Sequence, residues 1–142
     1  MANTAALQDA IEWVRGELAR EYSVPFGKST VRLRTGGKRS FNAVSSDGRI
    51  IATVLNSSGA TSGGKKPSGK IRYAIAELYF LSLADAPQRL LVATNAEFLK
   101  YLENETADAL VEGVRLAHIP LPADLAARVA EVTTAASREM GR

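Results

Sequence analysis

Lysine and arginine side chains, which can contact phosphate groups, are concentrated in one half of the chain. Residues 15–72 carry twelve of them against three acids, a net charge of +9, whereas residues 1–14 carry −2 and residues 73–142 carry −4. Such a segment is typical of a surface that faces nucleic-acid phosphates, and a solvated basic face without a partner is the alternative. The predicted phosphate contacts are Arg32, Arg34, Lys38, Arg39, Lys65, Lys66 and Lys70.

A stretch rich in Gly, Ser and Lys at 57–70 contains a second pattern with chemical meaning. Residues 59–65 read Gly-Ala-Thr-Ser-Gly-Gly-Lys, which matches the G-x-x-x-x-G-K pattern of a Walker A loop. Lys66 follows where that loop needs Ser or Thr to bind Mg²⁺, and Pro67 disrupts the turn into a helix. We therefore predict a flexible basic loop at 57–70 and no nucleotide site.

Two residue counts limit the remaining chemistry of the chain. The sequence has no Cys, which excludes disulfides, thiolate zinc sites and Cys nucleophiles. Its single histidine, His118, lies in a predicted strand, and one histidine excludes a His-rich metal centre. We expect no cofactor.

The sequence carries no pattern of a membrane span or of export. No apolar run approaches the ~20 residues that cross a bilayer, and the first residues lack the basic start and apolar stretch of a signal peptide. We therefore expect a soluble, cytoplasmic protein without membrane contact.

The pattern of helices and strands predicts one α/β domain over residues 1–142. The chain has 46% hydrophobic and 23% charged residues, as ordinary globular domains do. Asp47-Gly48 between two strand-like runs predicts an antiparallel hairpin. The predicted elements are a helix at about 5–22, strands at 30–34, 39–44 and 49–56, a helix at 71–84, a strand at 89–94, a helix at 96–104, a strand at 114–119 and a last helix after Pro122.

The helix predicted at 71–84 consists almost entirely of apolar residues. This composition predicts a helix that is buried on most sides, with Tyr73 and Tyr79 in the interior. Glu77 is the exception within it, and its carboxylate either reaches solvent or needs a partner such as Arg72 or Lys70.

The second and third predicted strands carry a further pattern. Asn42 lies on the second strand, and Thr53 and Leu55, two residues apart on the third, share one face of it. Together with the order helix, three strands, helix, strand, this spacing resembles the PD-(D/E)XK nuclease superfamily, over about residues 5–104. The resemblance implies a restriction-endonuclease-like αβββαβ core with a mixed central sheet flanked by helices. A strand and a helix at 113–140 would extend that core.

The residues that carry the resemblance lack the chemistry of a nuclease. Where the resemblance implies an acid, a second acid and a lysine, this chain has Asn42, Thr53 and Leu55. None of them offers the anionic oxygens that hold Mg²⁺, so we expect no metal site and no intact catalytic residue. Asp47 and Glu17 are the candidate substitute acids.

Three functions are compatible with these observations. The first is a catalytically degenerate nuclease-like domain that binds nucleic acid through its basic surface or supports an active partner. The second is a protein-interaction or regulatory module without nucleic-acid binding. The third is an active metal-dependent nuclease with a displaced set of acids. A protein partner and a homodimer are both compatible with the first two.

Overall fold

The computed structural model describes residues 4–59 and 63–140 and has an α/β fold, a five-stranded mixed sheet flanked by four helices. This confirms the predicted α/β class and the mixed sheet. No helix in the described part of the chain is long and apolar enough to cross a membrane. The elements are α1 (Thr4–Tyr22), β1 (Phe26–Arg32), β2 (Lys38–Ser45), β3 (Ile50–Leu55), α2 (Ser68–Leu83), β4 (Gln88–Ala93), α3 (Ala96–Glu105), β5 (Val114–His118) and α4 (Ala123–Met140).

The strands lie in the order in which they occur along the chain. β1, β2 and β3 form an antiparallel meander, β4 pairs parallel to β3, and β5 pairs parallel to β4. Parallel neighbours need a crossover connection, which α2 provides between β3 and β4 and α3 between β4 and β5. The antiparallel hairpin predicted at Asp47-Gly48 is confirmed, with Gly48 at a φ of 73° that favours glycine.

Each face of the sheet has its own apolar core. On one face, Ile51, Leu55 and Leu91 pack with residues of α2 and α3, among them Phe98. On the other face, Ala52, Val54, Leu90 and Val92 pack with Val14 and Leu18 of α1. α4 packs on α1 rather than on the sheet, through Val129 against Ala6 and Ala10. The two faces of β3 therefore point into different environments.

The prediction that α2 is buried on most sides is wrong. Its buried residues form a single stripe of Ile71, Ala74, Glu77, Leu78 and Leu81. Tyr73 and Tyr79, predicted to be interior, are 57% and 59% exposed. An apolar composition does not say how many sides of a helix are covered, and here one side faces the sheet while another faces solvent. The helix also begins at Ser68, so the last three residues of the predicted loop are helical.

β2 and β3 separate after a short stretch of pairing. They pair at Ala43 with Ala52 and at Val44 with Ile51, whereas the pairing of β1 with β2 continues to Arg32 and Lys38. We call residues 28–41, the part of this β1–β2 hairpin that extends past β3, the hairpin arm.

Asn42 occupies the point of separation. The β1–β2 register shifts between Gly27 and Ser29, which is a β-bulge, and such bulges re-aim nearby side chains. The Asn42 side chain is directed at β3, where its Nδ2 donates to the carbonyl oxygen of Val54 at 3.1 Å and its Oδ1 accepts from the Val54 N–H at 2.8 Å. Its amide thus replaces the backbone partner that β3 lacks here.

The hairpin arm folds over α2. Leu33 forms an isolated antiparallel bridge with Ala84, and the Arg34 N–H donates to the carbonyl of Leu83 at 2.8 Å. Leu33 and Phe41 also belong to the core cluster that contains Leu81. The arm is therefore held at its tip by backbone hydrogen bonds and along its inner side by apolar packing.

Replacing Asn42 should destabilise the fold. Asn42→Ala leaves the N–H and carbonyl of the buried Val54 unpaired, and each buried unpaired group costs roughly 1–3 kcal/mol, so we expect a loss of roughly 2–6 kcal/mol. Chemical denaturation measures this loss. The matched control is Asn104→Ala, the same change at an exposed position of α3, which should alter stability by less than about 0.5 kcal/mol. Equal effects of the two substitutions would contradict this role of Asn42.

Candidate functional site

The three positions that carry the nuclease resemblance do not form a polar cluster. Thr53 and Leu55 are both buried, and strand alternation puts them on the face of β3 that packs against α2 and α3. The Thr53 hydroxyl has no hydrogen-bond partner among the described residues. Asn42 lies between the strands with both ends of its amide bonded to Val54. No group of these three residues is available to a ligand in this arrangement.

The predicted substitute acids lie away from these positions. Glu17 belongs to α1, which packs on the opposite face of the sheet from Thr53, and its carboxylate pairs with Arg20 at 3.1 Å. Asp47 lies in the exposed turn between β2 and β3. Among residues 4–59 and 63–140, no group of three or more His, Asp or Glu side chains is arranged to hold a metal ion. The structure does not bring Glu17 and Asp47 together with Thr53.

The Asp47 carboxylate is part of the turn itself. Its Oδ1 accepts from the Ser45 hydroxyl at 2.7 Å and from the Arg49 N–H at 3.1 Å. These two hydrogen bonds, that of Ser45 above all, lower the pKa of Asp47 below its ordinary value. Ser45 Oγ in turn accepts from the Ile50 N–H at 3.0 Å, which ties the turn to the start of β3.

Glu77 is paired, but with a residue other than those predicted. Its buried carboxylate accepts from Arg39 of the hairpin arm at 2.6 Å, not from Arg72 or Lys70. The Arg39 guanidinium also lies over the Phe80 ring, 3.9 Å from its centroid, which is a cation–π geometry. Arg39 therefore joins the inner side of the arm to α2, and its charge is already balanced.

The outer side of the hairpin arm is different, because its cations have no acidic partners among the described residues. Strand alternation puts Lys28, Thr30 and Arg32 of β1 on this side, with Lys38 and Ser40 of β2 opposite them. All five are exposed, and the two hydroxyls are 2.7 Å apart. We call these residues the outer face of the arm.

The cations of the outer face are uncompensated. In the described part of the chain, no ion pair involves Lys28, Arg32 or Lys38, nor Arg34 in the exposed turn beside them. Arg32 and Lys38 lie directly opposite each other, and like charges in such a cross-strand pair destabilise a hairpin. A nearby anion would relieve this repulsion.

The three loop lysines of the predicted set lie elsewhere. Lys66 pairs with Glu105, Lys70 donates to the Ser58 hydroxyl at 3.0 Å, and Lys65 is exposed. These lysines lie at the start of α2, whereas the arm tip is bound to its end, some 20 Å away at a rise of about 1.5 Å per residue. The structure therefore divides the seven predicted contacts into two groups.

One cation of the outer face was missed by sequence reasoning. Lys28 lies in β1, which begins at Phe26 rather than at the predicted Thr30. The alternation of Lys28, Thr30 and Arg32 was the available signal, but the Gly27 that precedes them does not favour a strand.

Comparisons of this chain with protein-family models, with curated protein sequences and with solved structures found no match. The function must therefore be argued from the residues themselves.

The pKa of Asp47 tests whether its carboxylate serves the turn. In an NMR titration its pKa should lie below the ordinary aspartate value, and Ser45→Ala should raise it while Ser46→Ala leaves it unchanged. Because the pKa is lowered by folding, the stability that Asp47 contributes should be complete above its unfolded pKa and lost as the pH falls through its folded pKa.

The contrary result would be a pKa that does not respond to Ser45→Ala. The carboxylate would then not be engaged by the turn, and Asp47 would regain its place as a candidate metal ligand.

Proposed function

We propose that this chain is a restriction-endonuclease-like domain without nuclease chemistry, and that it binds nucleic-acid phosphates through the outer face of the hairpin arm. The observation that carries the proposal is the set of uncompensated cations there: Lys28, Arg32 and Lys38, with Arg34 beside them and no acid among the residues of that face.

The dimensions of the outer face suit a nucleic-acid backbone. Lys28 and Arg32 are four residues apart on one strand, which is about 13 Å at a rise of ~3.3 Å per residue. Successive phosphates along one strand of duplex DNA are ~3.4 Å apart along the axis, so this length covers roughly four phosphates. Thr30 and Ser40 lie between the cations, and hydroxyl groups also donate to phosphate oxygens.

The fold and the altered positions support the non-catalytic part of the proposal. The order α1, β1, β2, β3, α2, β4, with β3 and β4 parallel, is the order that the nuclease resemblance implies. At the positions of its acids and lysine, the chain has Asn42, Thr53 and Leu55, which cannot neutralise a bound dication or orient water. Binding would therefore not lead to cleavage.

Charge substitutions at two places test this function. The variant in which Gln replaces Arg32, Arg34 and Lys38 should bind a fluorescent DNA duplex more weakly. The slope of log K against log salt should become less negative by about 2.7, which is about 0.9 for each phosphate that is no longer neutralised. The control replaces Lys65, Lys66 and Lys70 by Gln, which changes the net charge equally. It should cost less affinity, since Lys66 already pairs with Glu105 and Lys70 with the Ser58 hydroxyl.

Fluorescence anisotropy at two salt concentrations separates the outcomes. The arm variant should fold as stably as the wild type because its substitutions remove the repulsion between Arg32 and Lys38. No binding at about 50 mM salt, or a larger loss from the loop variant, would overturn the proposed interface. Duplex that is cut with Mg²⁺ by the wild type but not by Asp47→Ala would overturn the non-catalytic part.

A further inference from the structure

The hairpin arm is a two-stranded antiparallel ribbon whose two sides have different surroundings. Its inner side is held on α2 by the ion pair of Arg39 with Glu77 and by the buried side chains of Leu33 and Phe41. Its outer face is exposed at all five positions. β1 is an edge strand of the sheet, so β2 is its one partner strand in the described part of the chain. The arm therefore presents one polar face of a supported ribbon to solvent.

The middle of the outer face differs chemically from its ends. Thr30 and Ser40 lie directly opposite each other in the middle, with their hydroxyl oxygens 2.7 Å apart. Arg32 and Lys38 form the next opposed pair, toward the tip of the arm, and Lys28 lies toward its base. Two short side chains that can donate and accept hydrogen bonds are thus surrounded by three long cationic ones.

The width of the ribbon matches one groove of one kind of duplex. Adjacent strands lie ~4.8 Å apart, so both strands of the arm fit within the ~12 Å width of the major groove of B-form DNA. The minor groove of B-form DNA, at ~6 Å, is too narrow for a ribbon with its side chains. An A-form RNA duplex has a narrow major groove and a shallow minor groove, and neither of them holds a ribbon between two phosphate walls.

We propose that the outer face of the arm enters the major groove of B-form duplex DNA and that Thr30 and Ser40 contact the base edges there. Arg32 on β1 and Lys38 on β2 would then contact phosphates on opposite walls of the groove. This inference rests on the proposed function, because it specifies which nucleic acid the arm binds. Serine and threonine hydroxyls bond to base edges, so the pair would supply a sequence preference that phosphate contacts alone do not.

A comparison of two duplexes tests the choice of nucleic acid. The full chain is titrated by fluorescence anisotropy into a DNA duplex and into an RNA duplex of the same sequence, at about 50 mM salt. Because the A-form duplex offers no groove of the right width, the DNA duplex should bind at least about tenfold more tightly.

Methylation protection with dimethyl sulfate tests which groove is occupied. The reagent methylates N7 of guanine, which lies in the major groove, and N3 of adenine, which lies in the minor groove. The bound chain should protect guanine N7 within its site and leave adenine N3 reactive.

Substitution of the two hydroxyls tests the contacts with base edges. A duplex selected from a randomised pool by the wild-type chain should bind at least about tenfold more tightly than a scrambled one, and Thr30→Val with Ser40→Ala should remove this preference. The slope of log K against log salt should stay unchanged, because no charge is lost. Ser29→Ala is the matched control, since Ser29 is exposed on the same strand but alternates onto the other side, and it should keep the preference.

The possible failures separate this inference from the proposed function. Equal affinities for the DNA and RNA duplexes, both weakened by the substitutions of Arg32, Arg34 and Lys38, would overturn the inference and leave phosphate binding by the arm in place. Protection of adenine N3 alone, or a wild-type preference that the double variant keeps, would do the same. No binding to either duplex would overturn both.

Discussion

The pairing of the Asn42 side chain with the peptide of Val54 is the constraint on which the rest of the architecture depends. β3 lies in the middle of the sheet, where each N–H and carbonyl needs a partner. β2 turns away from β3 after two paired residues, and the Asn42 amide supplies the donor and acceptor that the departing backbone withdraws. Arg15 of α1 also holds Asn42 in place, since its Nε donates to the backbone carbonyl of Asn42 at 2.7 Å. The hairpin arm can leave the sheet because this one side chain replaces the backbone hydrogen bonds that β2 would otherwise make with β3.

The departure of the arm determines the distribution of charge over the molecule. The inner side of the arm carries apolar residues and one cation, Arg39, whose charge is balanced by Glu77 and the ring of Phe80. The outer side carries cations and two hydroxyls but no acid, and the opposed pair of Arg32 and Lys38 is unfavourable in itself. Packing and backbone hydrogen bonds at Leu33 offset that repulsion and hold these cations on the exposed side of the arm.

Much of the fold could be predicted from the sequence, because its strongest patterns are local. The spacing of Leu7, Ile11, Val14 and Leu18 indicates α1, and Asp47-Gly48 indicates the turn that the structure contains. The exposed side of α2 could not be predicted in this way, because an apolar sequence does not show which sides of a helix are covered by other elements. The structure decides that question through the position of the hairpin arm and of the segment after α3.

The candidate site was harder to predict than the fold because it depends on long-range contacts. The basic segment was visible in the sequence, but which cations are free depends on pairs such as Arg39 with Glu77, 38 residues apart. Likewise, nothing local to Asn42 reveals that a bulge turns its side chain toward Val54. An intact nuclease motif would have located a site by itself, whereas Asn42, Thr53 and Leu55 offer no catalytic side chains to locate one.

The most direct test of the account is an NMR titration of the isotope-labelled chain with a short DNA duplex at about 50 mM salt, where phosphate contacts are strongest. The account predicts that backbone amide shifts change first and most along 28–40, and that the changes disappear as salt is raised. Changes that centre on 63–70, or no changes at any residue, would contradict the claim that the hairpin arm is the phosphate-binding surface.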